Sequence, residues 1–541
     1  MQLTTYLERS TVSRNNDQRQ NRLTTAVAAL LGASVLVLAG CSTSAPGETA
    51  AATGATGDPV AGGAARAIQA SEPRSLDPAA MTNTWTTQGF LGNALYGNLL
   101  INDVETTEIE GQMATDFSTD DGGATFTLTL RPDLVFSDGT PLDAEAVKFN
   151  WERLTNPALG SSSIVQAGTI AAIDVVDPVT LEATLVAPNP HYGQAVVNSS
   201  MNWIASPAAL ALSPESFNDK PIGAGPFTLV SWARQDVIEL VKNPDYWDAP
   251  RPYLDSISVR TANDTNQRIN TLMSGGADFV LESNWDSVAK AEASGYPTDV
   301  VPMGGGQYIA MNTRVAPFDD IRARQAVSMA IDLNSMNLAT YNGSGQVPET
   351  LFPEGSPFHT DTALSKYDPE AAQKLFDELA AEGKPVSFTN SSFSTVENKA
   401  SAESMQTQLS AYQNVDAQVD VVDFPTGLSK LASRDFQMMI SSANIQHPDY
   451  ALWQAFQTDS RGNVTGTSDP ELDAALAAGR FASSDDERKN AYQVVQDRIV
   501  ELTPGIFFTR AAPAVVTGKN VGGIHQYGSG SLLPAELWIQ N

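Results

Sequence analysis

The sequence predicts an α/β protein of two or three domains. At 541 residues the chain is long enough for that many cores. Hydrophobic residues make up 42% and charged residues 17%, a soluble globular balance that argues against wholesale disorder. Strand-period and helix-period segments also alternate along the chain, most legibly from Thr125 to Leu154.

The N-terminus comes first. Arg9, Arg14, Arg19 and Arg22 outweigh Glu8 and Asp17, and an apolar run from Leu23 to Ala39 ends in Leu38-Ala39-Gly40-Cys41. A basic region, an apolar region and small residues before a cleavage point predict a secretory signal over residues 1–40. Leu-Ala-Gly-Cys resembles the bacterial lipobox, which implies that Cys41 is diacylated and becomes the mature N-terminus. Two acyl chains hold a protein on a membrane where one does so marginally. An uncleaved membrane anchor is the alternative. Residues 41–65, rich in Ala, Gly, Thr and Pro and without periodicity, read as a flexible tether. Cys41 is the sole cysteine, so no internal disulfide forms. A net charge of −30 repels nucleic acid and excludes that class of partner.

A first strand is expected near Arg66. Asn93 to Leu99 reads as helix, with Tyr96 and Leu99 packed in the core. Thr125, Thr127 and Thr129 alternate with Phe126, Leu128 and Leu130, the period of a strand with one buried face. Asp138-Gly139 is a turn signal. Asp143 then caps a helix whose Val147, Trp151 and Leu154 share one face. Ile173 to Val186 is a hairpin around Asp177-Pro178. Gly223 and Gly225 permit a tight backbone path, without the Lys-Ser/Thr of a phosphate loop. Asp320 caps a helix whose first turns hold Arg322 and Arg324; the helix dipole disfavours cations there, so acidic partners are expected. Asp368-Pro369 opens a helix with a stripe of Ala372, Leu375, Phe376 and Leu379 that stops at Gly383. Strands and a helix follow across 386–424. Asp469-Pro470 and Ser484-Asp485-Asp486-Glu487 open two more helices, and a strand returns over Gly505 to Arg510.

The wording of several segments resembles the family-5 extracellular solute-binding proteins of bacterial ABC importers, the peptide- and nickel-binding group. The carriers are Leu76-Asp77-Pro78; Leu130-Arg131, Phe136, Asp138-Gly139, Pro141, Ala144 and Val147; Pro221, Gly223, Gly225-Pro226, Trp232, Asn243, Tyr246 and Trp247; and NTRVAPFDDIRARQAVSMAID from Asn312 to Asp332. The resemblance covers most of residues 70–540. It implies a two-lobed, periplasmic-binding-protein-like fold of the type II Venus-flytrap kind with an extra inserted subdomain. Lobe I would hold 66–109, 210–311 and 507–541, the insert 110–209, and lobe II 312–506. It further implies a monomer on the outer face of the cell membrane that serves an ABC permease and ATPase, with no cofactor and no bond made or broken. His191, His359, His447 and His525 are scattered without metal-ligand spacing, and no G-x-S-x-G occurs. A carboxylate pair of the glycosidase kind stays open on composition.

The resemblance also places ligand contacts. In peptide-binding members an Asp before a Pro meets the ligand's amino group; counting back from Pro448 puts Asn444 there, with Ser441 and Ser442 beside it. In dipeptide-binding members an Arg clamps the carboxylate, and its place falls at Ser392. Both clamps are then neutral, and a neutral group cannot offset a buried ammonium or carboxylate. A blocked or longer peptide, a sugar-like polyol or another neutral polar solute is expected rather than a free dipeptide. Asn83 and Trp85 follow the first strand where lobe I residues reach ligand, and Tyr308 precedes the hinge motif at Asn312. Ordinary packing is the alternative for Trp85 and Tyr308. A nickel or metal-chelate ligand, supported by His447, and a non-transport surface lipoprotein are the competing functions.

Overall fold

The computed structural model describes residues 54–84 and 88–540. Two large sheets organise them. The first has seven strands, in the spatial order Thr298–Val300, Ala514–Thr517, Phe279–Glu282, Ala64–Gln69, Ser256–Thr261, Val237–Lys242 and Phe227–Ala233. Ala64–Gln69 runs parallel to both its neighbours, and the pairs beyond them are antiparallel. The second has five strands, in the order Val415–Val422, Val386–Phe393, Met438–Ile445, Gly304–Met311 and Gly505–Thr509. The chain passes from one sheet to the other between Val300 and Gly304 and back between Thr509 and Ala514.

These passages move the expected lobe boundaries. Residues 304–311 and 507–509 were expected in lobe I. Gly304–Met311 instead pairs along its whole length with Met438–Ile445, and on its other edge with Gly505–Thr509. Such a strand belongs to the sheet that satisfies its backbone, and pairing at that sequence separation leaves no local trace. The tether is also shorter than expected. Ala55 N–H donates to Val521 O at 2.9 Å, Gly62 N–H to Tyr253 O at 2.7 Å, and Ala64 already starts a strand. Backbone pairing of this kind does not need the side-chain periodicity that the segment lacks.

A third sheet, antiparallel and four-stranded, forms the insert: Ala114–Ser118, Thr125–Leu130, Thr180–Leu185 and Ile170–Asp177. Inner residues Phe126, Leu128 and Leu130 alternate with half-exposed threonines. Asp143 Oδ1 accepts from Ala146 N–H at 3.0 Å, which starts the helix Ala144–Leu154. That helix buries Val147, Trp151 and Leu154, and the Trp151 indole donates to Met201 O at 2.8 Å. The insert does not close its own core. One continuous apolar cluster runs from Trp151 and Leu128 to Ala65, Ile257 and Phe279 of the seven-stranded sheet. Gly223 and Gly225 sit where a Cβ would come 2.2 Å from Leu95 O and 2.3 Å from Ala94 O, so they serve close packing against the helix Gly89–Tyr96.

In the second lobe the caps fall at Asp320, Asp368, Asp469 and Ser484. Arg322 finds acidic partners, Asp320 at 2.8 Å and Glu382 at 2.7 Å. Arg324 does not; its guanidinium donates to the carbonyls of Phe318 and Leu502. Among the described residues no helix is long and apolar enough to cross a membrane.

Candidate functional site

A cavity of about 470 Å³ lies between the lobes. One wall comes from the insert: Gln166, Thr169, Asn189, His191, Gln194 and Asn198. The other comes from the second lobe: Ser441 to Asn444 at the end of a strand, Gln446, His447, Asp449 and Tyr450 around the start of the helix Pro448–Phe456, and Arg480 in the last turn of Pro470–Phe481. The lobes touch around it through hydrogen bonds. Nε2 of His191 lies 3.0 Å from Ala482 O. Asn198 and Asn102 donate to Gln446 Oε1 at 3.4 and 3.5 Å. Farther out, Asn284 donates to Glu397 at 3.1 Å and Asn342 to Asp286 at 3.0 Å. The two walls therefore face each other in a closed arrangement.

The cavity floor is ionic. Asp449 Oδ1 accepts from the Arg488 guanidinium at 2.5 Å and from the Tyr492 hydroxyl at 2.5 Å, with both charged side chains under one-tenth exposed. Arg488 also reaches Gly479 O at 3.1 Å and lies 3.3 Å from His447 Nε2. Burial holds His447 at a pKa of about 4; Asp449 opposes this, while Arg488 and His191 add to it. Burial likewise lowers the His191 pKa, with Arg488 acting the same way and Asp449 opposing. Several lining atoms are buried without a partner: Asn444 Oδ1, Gln446 Nε2, Asp449 Oδ2 and Arg480 Nε. Buried polar atoms usually find partners, so unmet ones around one cavity mark where a bound molecule would supply them.

Residues 108–463 match the family model for bacterial extracellular solute-binding proteins, family 5, middle region. The chain belongs to this family. It is 26% identical over 420 residues to a glutathione-binding protein GsiB of Salmonella paratyphi A, covering 74% of this chain and 80% of that one. Among solved structures it is similar to the Helicobacter pylori periplasmic binding protein DppA in complex with peptide STSA, with a TM-score of 0.75, 22% identity and coverage of 89% and 99%. It is also similar to AgaA in complex with agropinic acid from A. tumefaciens R10, with a TM-score of 0.74, 23% identity and coverage of 88% and 99%. The chain thus has the two-lobed periplasmic-binding-protein fold, and its family members are solute-binding proteins.

Of the residues placed from the sequence, the structure brings Ser441, Ser442 and Asn444 to the cavity. Three others sit elsewhere. Tyr308 is 1% exposed and packs on Phe507 and Phe456 with ring centroids 5.0 and 5.9 Å away, so the packing alternative describes it. Ser392 is fully buried, and its hydroxyl donates to Phe393 O at 3.2 Å. Asn83 is buried where the first lobe meets the insert, donating to Val197 O at 2.9 Å and Tyr527 Oη at 3.1 Å and accepting from Ser531. Trp85 and Cys41, with its lipobox, lie outside the described residues.

Two further features come from the tertiary structure. The insert contributes a wall of the cavity, because the segment 165–198 packs over the cleft while Thr125–Leu154 stays behind it. The site is also charged, because Arg480 and Asp449 reach it from helices that carried no ligand motif. Among the described residues no group of three or more His, Cys, Asp or Glu is placed to hold a metal ion, and the ring of His447 faces Arg488. Gln166, His191, Asp449 and Arg480 were missed as site residues. Asp449 carried the one usable signal, an acid directly after the Pro448 that served as the counting mark.

Proposed function

We propose that this chain is the lipid-anchored capture subunit of an ABC importer. It closes its two lobes on a peptide-like or other small polar solute and presents the closed form to a membrane permease. The observation that carries this reading is the cavity enclosed by both lobes, with unmet polar atoms on its wall and few direct bonds across its mouth. A ligand that meets those atoms only when the lobes are together favours the closed state, and that difference in affinity is what shifts the population. The permease then reads the shape. Relatives named for glutathione binding, and a neighbour solved with a tetrapeptide, agree with a short peptide or a compound of similar size. Cys41 supplies the anchor on the outer face of the membrane.

The test joins solution and cell. Glutathione and tripeptide pools added to the mature protein should raise its melting temperature and make its scattering profile more compact. Deleting the gene should abolish uptake of the bound solute, and Cys41→Ser should release the protein from the membrane. A mature protein that neither binds nor compacts with any member of these pools, in cells whose uptake is unaffected by the deletion, would sink the proposal.

A further inference from the structure

We infer that Arg480 is the residue that selects the ligand, by pairing with a carboxylate that the captured solute carries. This deepens the capture reading above and rests on it.

Arg480 lines the cavity, yet among the described residues its side chain makes no hydrogen bond and no ion pair, and its Nε is buried without a partner. Its only contacts of note are aromatic. The guanidinium carbon stands 5.2 Å from the centre of the Trp453 ring and 5.4 Å from that of Phe481. Two aromatic neighbours hold a planar fork in place without using its donors. Burial lowers the pKa of Arg480, with Asp449 giving partial relief.

The charges around the cavity show what is missing. Asp449 Oδ1 is already committed to Arg488 and Tyr492. His447 and His191 are pushed toward their neutral forms. Arg480 is therefore a cation without a direct anionic partner facing the cavity, eased only at a distance by Asp449, within a chain of net charge −30. Arg480 is only part-buried, but its Nε is withdrawn from water without a partner, and an anion delivered by the ligand offsets that cost on closure. The planar fork matches a carboxylate with two parallel N–H···O bonds. Opposite charge preference appears elsewhere on the wall, where Asn444 Oδ1 and Asp449 Oδ2 wait for donors. A solute with a carboxylate at one end and N–H donors along it meets both needs.

The test uses the mature protein, its Arg480→Gln and Arg480→Lys variants, and three tripeptide pools: neutral side chains with free C-termini, the same pool amidated, and an amidated pool with one glutamate in each member. Calorimetry reads affinity, and melting temperature without ligand checks that each variant is folded. Wild type should bind a carboxylate-bearing pool at least tenfold tighter than the amidated pool without a carboxylate. R480Q should erase that ratio, and R480K should restore part of it. A preference for free C-termini assigns the carboxylate to the chain end, and one for the glutamate pool assigns it to a side chain. Equal binding by wild type of pools with and without a carboxylate, or an unchanged ratio in folded R480Q, overturns the Arg480 assignment and leaves solute capture standing. Wild type that binds none of the three pools overturns the Arg480 assignment, and takes down solute capture as well only when glutathione also fails to bind and deletion leaves uptake unaffected.

Discussion

Acid should weaken this protein through His447, and the size of the effect follows from where that ring sits. It is 9% exposed at the cavity floor, with Arg488 at 3.3 Å, Asp449 at 3.8 Å and the His191 ring 6.4 Å away across the cleft. Burial moves its pKa from the ordinary 6.5 to about 4. Between those values the unfolded chain takes up a proton that the folded chain refuses, so stability is complete above the upper value and falls as pH drops toward the lower one. A gap of roughly two and a half units corresponds to ~3 kcal/mol. The perturbation is His447→Gln, and the assay is chemical denaturation of both proteins at about pH 7.5 and about pH 4. Carboxylates titrate in this window too, but they do so in both proteins, and the difference reports the histidine together with its coupling to Asp449 and Arg488. Wild type should lose about 3 kcal/mol more than H447Q over that range. Equal losses would show that His447 is not held neutral by its surroundings.

The same ionic floor makes Arg488→Met destabilising by about 3–5 kcal/mol, because Asp449 is left as a buried carboxylate without its cation; denaturant midpoints measure it. Trp151→Ala should cost about 3–5 kcal/mol by the same assay, since the side chain is 1% exposed and fills the core shared by insert and lobe. At temperatures where W151A remains folded its ligand affinity should match wild type, because Trp151 lies behind the cavity wall. Ser392→Ala should leave affinity unchanged in calorimetry, as among the described residues the hydroxyl bonds only to the neighbouring carbonyl at 3.2 Å.

Local chemistry made much of the scaffold legible. Asp143, Asp368 and Ser484 cap the helices their positions announce, because a cap is a contact between residues two or three apart. The alternation of Thr125–Leu130 reports one buried face, whatever covers it. Family membership was readable for the same reason, since its signature segments are contiguous. The lobe boundary was not, because Gly304–Met311 is assigned by pairing with a strand that begins at Met438. Nor was the site. Arg480 sits in the last turn of an ordinary helix, where a cation already has a sufficient reason in the helix dipole. Its meaning arises only when Gln166 and His191 of the insert lie opposite Asn444 and Asp449 and the guanidinium shares their cavity without a direct ion-pair partner. Sequence therefore determined the elements, their caps and the family. Tertiary structure alone decided which charges share the cavity and which one stays unpaired, because burial and charge balance are properties of distant residues brought together.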